Sequence, residues 1–307
     1  MKKKIYVILS VLLVILLVIF GGIYFVNNAK KVTKNPLVIT DTSKKEVSFS
    51  KTPEKVISLI PAATETLYDL GLGEKVIAVD SYSNYPEDAK SKKQLKTSTA
   101  LNVEEIVSLN SDIVFMSKMG QTIEQYNSLV NAGVKVVIVD ATSINETYDI
   151  INLIGKIMNK EKEASKICNN MKKDLEDIRL NCINKEKKSI YYEVSPLEFG
   201  LWTSGNNTFE NEIFNILNID NIFKNVKGWA QVSEEQVLTK NPDYIVSTSM
   251  DFGEVKVVDE ILNRKNWNNI SAIKNKKVYS INSDIMSRPT KRLVEGAKEL
   301  QKIVYGK

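Results

Sequence analysis

The sequence predicts an α/β protein of two lobes, each with a parallel-rich sheet flanked by helices, joined by one long α-helix with a ligand cleft between them. Three observations carry this. The length of 307 residues suggests about two domains. Short, continuously apolar runs alternate with amphipathic ones, the pattern of parallel strands covered on both faces. And that alternation is interrupted once, by a long charged helix, before it restarts.

The chain begins with Lys2, Lys3 and Lys4, leading into an uncharged apolar run from Ile5 to Val26. At about 22 residues the run is long enough to span ~30 Å of hydrocarbon as a helix, and the lysines before it place the remainder of the chain outside the cell. A secretory core is usually shorter, and Asn27-Asn28-Ala29 is a poor cleavage site, so the expectation is an uncleaved signal anchor over 1–29, with a cleaved signal peptide as the alternative. No Cys comes directly after the run to carry a lipid. Residues 30–36 read as a polar tether.

The first lobe is expected over 37–142. Leu37–Thr40 and Glu46–Phe49 are short β-rich runs around a turn at Thr42–Lys45. Val56–Ile60 is an apolar strand ended by Pro61, and Thr64–Leu70 a helix closed by Gly71. Val76–Val79 is a strand, Val103–Leu109 a helix, Ile113–Met116 a strand, Ile123–Ala132 a helix stopped by Gly133, and Val134–Val139 a strand. Helices come next, over 143–187. Ser143-Ile144-Asn145-Glu146 fits a capping box, opening a helix to about Met158. Glu161 to about Asn181 carries Ala164, Ile167, Met171, Leu175 and Ile178 at spacings of three and four.

The second lobe is expected over 188–307: Ser189–Val194 a strand, Phe209–Leu217 and Glu234–Leu238 helices, Tyr244–Ser247 a strand, Val257–Leu262 a helix, Val278–Ile281 a strand and Thr290–Tyr305 a closing helix.

Composition narrows the function. There is no histidine, which closes the commonest general-base, nucleophile-activating and metal-binding routes; neither catalytic nor metal-ligating residues are assigned, and no resident cofactor. Cys168 and Cys182 lie on one predicted helix about 21 Å apart, beyond disulfide reach. The net charge of +5 is spread over 42 basic and 37 acidic residues, a solvated surface rather than a nucleic-acid footprint. Gly71-Leu72-Gly73 is a helix stop, not a phosphate loop. Two lobes, an interlobe cleft and an external anchor therefore favour a binding protein over an enzyme.

Loops that come after strands supply the candidate contacts. Pro61–Glu65 opens a helix that could present backbone amides. Tyr82 and Tyr85 stand in a polar loop, and Trp202 and Trp229 are read as loop aromatics, each an amphipathic contact surface. Asp284 and Arg288 could pair with each other or offer an acceptor and a forked donor to a ligand. Glu104-Glu105 and Glu234-Glu235 occupy matching first-turn positions in the two halves. They suit the helix dipole, or one glutamate per lobe could dock a symmetric partner.

These residues carry a resemblance. Val56–Glu65, Leu70–Gly73, Ser81–Pro86, Asp140–Ile144, Thr203-Ser204-Gly205, Asn221–Lys224 and Trp229–Leu238 resemble, in order, the helical-backbone substrate-binding proteins of ABC importers, and within that class the cobalamin-binding branch. The resemblance implies two rigid lobes clasping a ligand, corrinoid or, as the alternative, iron-siderophore or haem. It implies pocket roles for Ala62, Tyr82, Trp202, Trp229, Asp284 and Arg288, and that Glu104 and Glu235 meet arginines of a permease dimer with its ATPase. A monomer acting at the outer face of the membrane is the expectation, and cobalt would need no protein ligand. Ser98-Thr99-Ala100-Leu101 and Ile285 stand where that branch carries aromatics, leaving a less flat-walled pocket.

Overall fold

Asp41 closes the first turn: its Oδ1 accepts from the amides of Ser43 (2.8 Å) and Lys45 (2.9 Å), which folds β1 (Leu37–Thr40) back on β2 (Glu46–Phe49) as a separate two-stranded sheet. The structure, a computed structural model, describes residues 36–97, 101–118, 121–195, 197–248 and 256–306. The expected anchor, nearly all of the tether and Ser98–Ala100 lie outside the described residues. Among those described, no helix is long and apolar enough to cross a membrane.

The first lobe is built on β3 (Val56–Ser58), α1 (Pro61–Asp69), β4 (Val76–Asp80), β5 (Lys93–Leu95), α2 (Val103–Ser108), β6 (Ile113–Met116), α3 (Ile123–Asn131) and β7 (Val136–Ile138). The five strands run parallel in the order β5-β4-β3-β6-β7. Their apolar side chains are buried, and Ile106, Tyr126 and Leu129 of α2 and α3 pack on Ile57, Val114 and Met116. The chain winds one way from β3 through β4 to β5 and then the other way through β6 to β7. That reversal leaves a crevice at the carboxyl ends of the central strands.

Pro61 does not end the strand ahead of a later helix. It is the first residue of α1 itself, where its missing N–H costs nothing and its fixed φ suits the helix. The capping box expected at Ser143 is also corrected. The Ser143 hydroxyl caps the Glu146 amide (3.1 Å), but the Glu146 carboxylate bonds the amide and hydroxyl of Thr142, one residue earlier.

Two helices bridge the lobes. Helix α4 (Ile144–Ile157) packs against α1, and α5 (Glu161–Cys182) packs against α4. The buried stripe of α5 runs Ala164, Cys168, Met171, Leu175, Ile178, Cys182, stepping by four and three. Cys168 rather than Ile167 holds the second position, and both cysteines are buried free thiols. Burying each large apolar side chain stabilises the interface by about 1.5–3 kcal/mol.

The second lobe contains β8 (Lys188–Glu193), β9 (Leu201–Ser204), α6 (Phe209–Ile216), β10 (Ile219–Asn221), β11 (Trp229–Val232), α7 (Glu234–Lys240), β12 (Tyr244–Ser247), α8 (Val257–Leu262), α9 (Ser271–Lys274), β13 (Val278–Ser280), α10 (Ser283–Ser287) and α11 (Leu293–Tyr305). Its main sheet, β10-β8-β12-β13, is again parallel. Strands β9 and β11 form an antiparallel ribbon, so Trp202 and Trp229 lie on strands rather than in loops. Helix α11 packs back on α5. Trp267 is fully buried, donating to Glu234 (2.8 Å) beneath the Arg264 guanidinium.

Candidate functional site

A cavity of about 510 Å³ opens between the lobes. Its first-lobe wall comes from the ends of parallel strands: Leu59, Ile60 and Pro61 after β3, Asp80 and Tyr82 after β4, Thr97 after β5, Ser117 and Gln121 after β6, and Val139, Asp140 and Ala141 after β7. The opposite wall is Phe209, Trp229, Ser287 and Pro289. Among the described lining residues no side chain is cationic.

The polar groups on this lining are held in place. Gln121 ties the loop after β6 to the loop after β3, donating to the Leu59 carbonyl (3.1 Å) and accepting from the Ser117 amide (3.0 Å). Asp140 accepts from the Ser117 hydroxyl (2.5 Å) and the Lys118 amide (3.1 Å). Asp80 accepts from the Ser83 hydroxyl and the Tyr82 amide, and burial raises its carboxyl above the usual range. The Thr64 hydroxyl is likewise occupied, by Ser58 and Ser83.

Trp229 is built into its wall from three sides. Its strand pairs with β9, where Gly205 lets the chain pass so close to Val226 that a Cβ would sit 2.0 Å from that carbonyl. Its ring meets Phe209 edge-on at 6.0 Å. Its indole N–H donates to Glu210 Oε1 (3.1 Å).

The candidates from sequence separate into groups. Tyr82 and Trp229 line the cleft, with Tyr82 59% exposed. Ala62 is buried in α1 behind the lining. Trp202 is 39% exposed on β9 opposite Gln231, and Tyr85 lies under the Arg292 guanidinium at 3.9 Å; neither is on the lining. Asp284 and Arg288 pair at 2.7 Å. Arg288 then leaves the second lobe and reaches Glu65 (2.8 Å), the Asn84 side chain (2.8 Å) and the Tyr82 carbonyl (3.1 Å). Arg292 (3.3 Å) and Thr290 (3.1 Å) meet the same Glu65 carboxylate, so this segment ties the lobes together along one side of the cleft.

In each glutamate pair one member is engaged. Glu105 binds Lys93 (2.9 Å) and Glu234 binds Trp267. Glu104 and Glu235 have no ion pair among the described residues, and both are exposed. No cluster of three His, Cys, Asp or Glu among the described residues could hold a metal.

Sequence reasoning missed Phe209, Glu210 and Gln121, and the tie that Glu65 makes to the other lobe. Asp80 and Asp140 carried a usable signal, since each closes an apolar run that reads as a parallel strand.

A family model described as periplasmic binding protein matches residues 56–285. The chain belongs to the periplasmic binding protein family. It is a binding protein, not an enzyme. The uncharacterized ABC transporter substrate-binding lipoprotein YvrC of Bacillus subtilis is 37% identical over 276 residues, covering 88% of this chain and 86% of that one. A vitamin B12-binding protein of Salmonella paratyphi A is 30% identical over 250 residues, covering 80% and 88%. Among solved structures, a possible iron-binding periplasmic solute-binding protein from Staphylococcus epidermidis superposes with a TM-score of 0.74 at 34% identity, covering 83% of this chain and 100% of that one.

Proposed function

We propose that this periplasmic binding protein serves an ABC importer at the outer face of the membrane, taking cobalamin or a related corrinoid into the interlobe cleft and delivering it to the permease. The observation that carries the ligand class is the chemistry of the lining. It combines an apolar wall at Phe209, Trp229 and Pro289 with acceptors at Asp80 and Asp140 and no described cation. Such a surface suits a large ligand whose faces are apolar, whose rim is rich in amide donors, and whose metal is already held by its own macrocycle. An anionic chelate would meet two carboxylates and no cationic side chain among the described lining residues.

Delivery rests on Glu104 and Glu235, without an ion pair among the described residues, one on each lobe. A two-fold permease presents the same basic socket twice. The ABC partnership and the vitamin ligand are those of named relatives. The N-terminal lysines and apolar run support tethering of the binding domain, proposed as a monomer, outside the membrane.

A second reading, an iron chelate, is favoured by the likeness to the Staphylococcus epidermidis protein, described as possibly iron-binding. Equilibrium dialysis against cyanocobalamin, haemin and a ferric hydroxamate separates the two. The corrinoid should be retained at about micromolar affinity or tighter, with the iron ligands at least roughly tenfold weaker; the reverse order would hand the cleft to iron chelates.

A further inference from the structure

Glu210 lies in the first turn of α6, only 1% exposed, directly behind the second-lobe wall of the cleft. A charged side chain is placed there at a cost. One oxygen accepts from the Trp229 indole; the other, Oε2, has no hydrogen-bond partner among the described residues. The groups that face it are its own backbone amide, the Trp229 ring from β11, Thr208 at the helix start and the Tyr192 phenol from β8, which burial keeps neutral. Nearby cations are committed elsewhere. Lys172 and Arg179 of α5 line the groove beside Glu212, two residues on and so on the opposite face of α6. Arg288 is held by Glu65 and Asp284.

We propose that Glu210 is a positioning residue whose protonation state sets how firmly Trp229 is presented to the cleft, so that ligand capture weakens as the medium becomes alkaline. This rests on the cleft being the ligand site. As a neutral acid, Glu210 fits its dry surroundings and accepts the indole N–H, keeping the wall in place. As a carboxylate it leaves the buried Oε2 without a hydrogen-bond partner among the described residues, and that oxygen draws water in behind Trp229. Burial raises its pKa to about 7, so the exchange falls in the physiological range. A ligand lying on Trp229 displaces water from the other side of the indole and penalises the charged form further. Binding therefore takes up a proton, and affinity is full below about pH 7 and falls above it.

The test uses the full chain labelled with 5-fluorotryptophan. Its three tryptophans give three ¹⁹F resonances, of which Trp229→Phe identifies one. Without ligand, that resonance should titrate with a midpoint of about pH 7 in the wild type, and it should not titrate in Glu210→Gln, which keeps an acceptor for the indole but no proton to lose. With cyanocobalamin as probe, the dissociation constant should rise about tenfold between pH 6 and pH 8 in the wild type and stay level in Glu210→Gln. A Trp229 resonance that ignores pH, or titrates identically in Glu210→Gln, overturns the proposal. A titrating resonance with pH-independent affinity overturns the coupling to capture. Failure of cyanocobalamin to bind at any pH counts against the corrinoid reading, and the ligand-free titration still decides the role of Glu210.

Discussion

Replacing Glu65 with alanine cuts the tie between the lobes at its centre. The carboxylate is 1% exposed and accepts from Arg288 (2.8 Å), Arg292 (3.3 Å) and Thr290 (3.1 Å), all from the segment after α10. Removing one partner of a buried ion pair costs about 3–5 kcal/mol, because the other partner is left buried and unpaired. Arg288 keeps Asp284 and the Asn84 side chain, which puts the expected loss at the lower end, about 3 kcal/mol. For a chain of this size that lowers the melting temperature by roughly 6–12 °C, readable by calorimetry or circular dichroism. A double-mutant cycle with Arg288→Ala should give a coupling of about 1–3 kcal/mol. A melt within about a degree of the wild type, or a cycle additive to within roughly 0.5 kcal/mol, would refute the tie.

Other changes probe other parts of the molecule. Trp229→Ala should weaken capture by at least about tenfold, since a buried aromatic anchor carries ~2 kcal/mol or more, while a thermal melt shows the fold intact; unchanged affinity removes Trp229 from the site. Glu104→Ala with Glu235→Ala should leave ligand binding and melting temperature as they are and abolish uptake in cells, and normal uptake by that double variant ends the docking role. Glu210 should also register in stability. Its folded pKa of about 7 lies above the ordinary 4.5, so the neutral group favours the fold, and that advantage disappears as pH rises between the two values. Glu210→Gln should therefore gain about 3 kcal/mol relative to wild type on going from pH 4 to pH 8 in urea unfolding; a constant difference across that range contradicts the buried acid.

Wherever a pattern was local, the sequence made the fold legible. Helix α5 was readable to within a residue or two at either end because its apolar positions repeat at three and four over six turns, and only the Ile167–Cys168 choice depended on what the stripe packs against. Strand β5 was not readable: it is three residues long at the edge of the sheet, with Lys93 and Gln94 exposed. The β9–β11 ribbon was read as loop because glycines flank both strands and its exposed and buried faces alternate weakly. The cleft itself was partly legible, since Tyr82 comes just after a recognisable strand. Glu65 was not, because Arg288 lies 223 residues away in sequence and no local spacing records such a pair. In sequence Glu210 is an ordinary first-turn acid of α6; only the fold turns it inward toward Trp229 while Glu212, two residues on, reaches the Ile144 amide at 2.7 Å.

The most direct test of the central claim is a calorimetric titration of the fragment from Lys30 onward with cyanocobalamin. The expected result is saturable one-to-one binding at about micromolar affinity or tighter, weakened at least about tenfold in Trp229→Ala. A folded fragment that releases no saturable heat would contradict the corrinoid assignment.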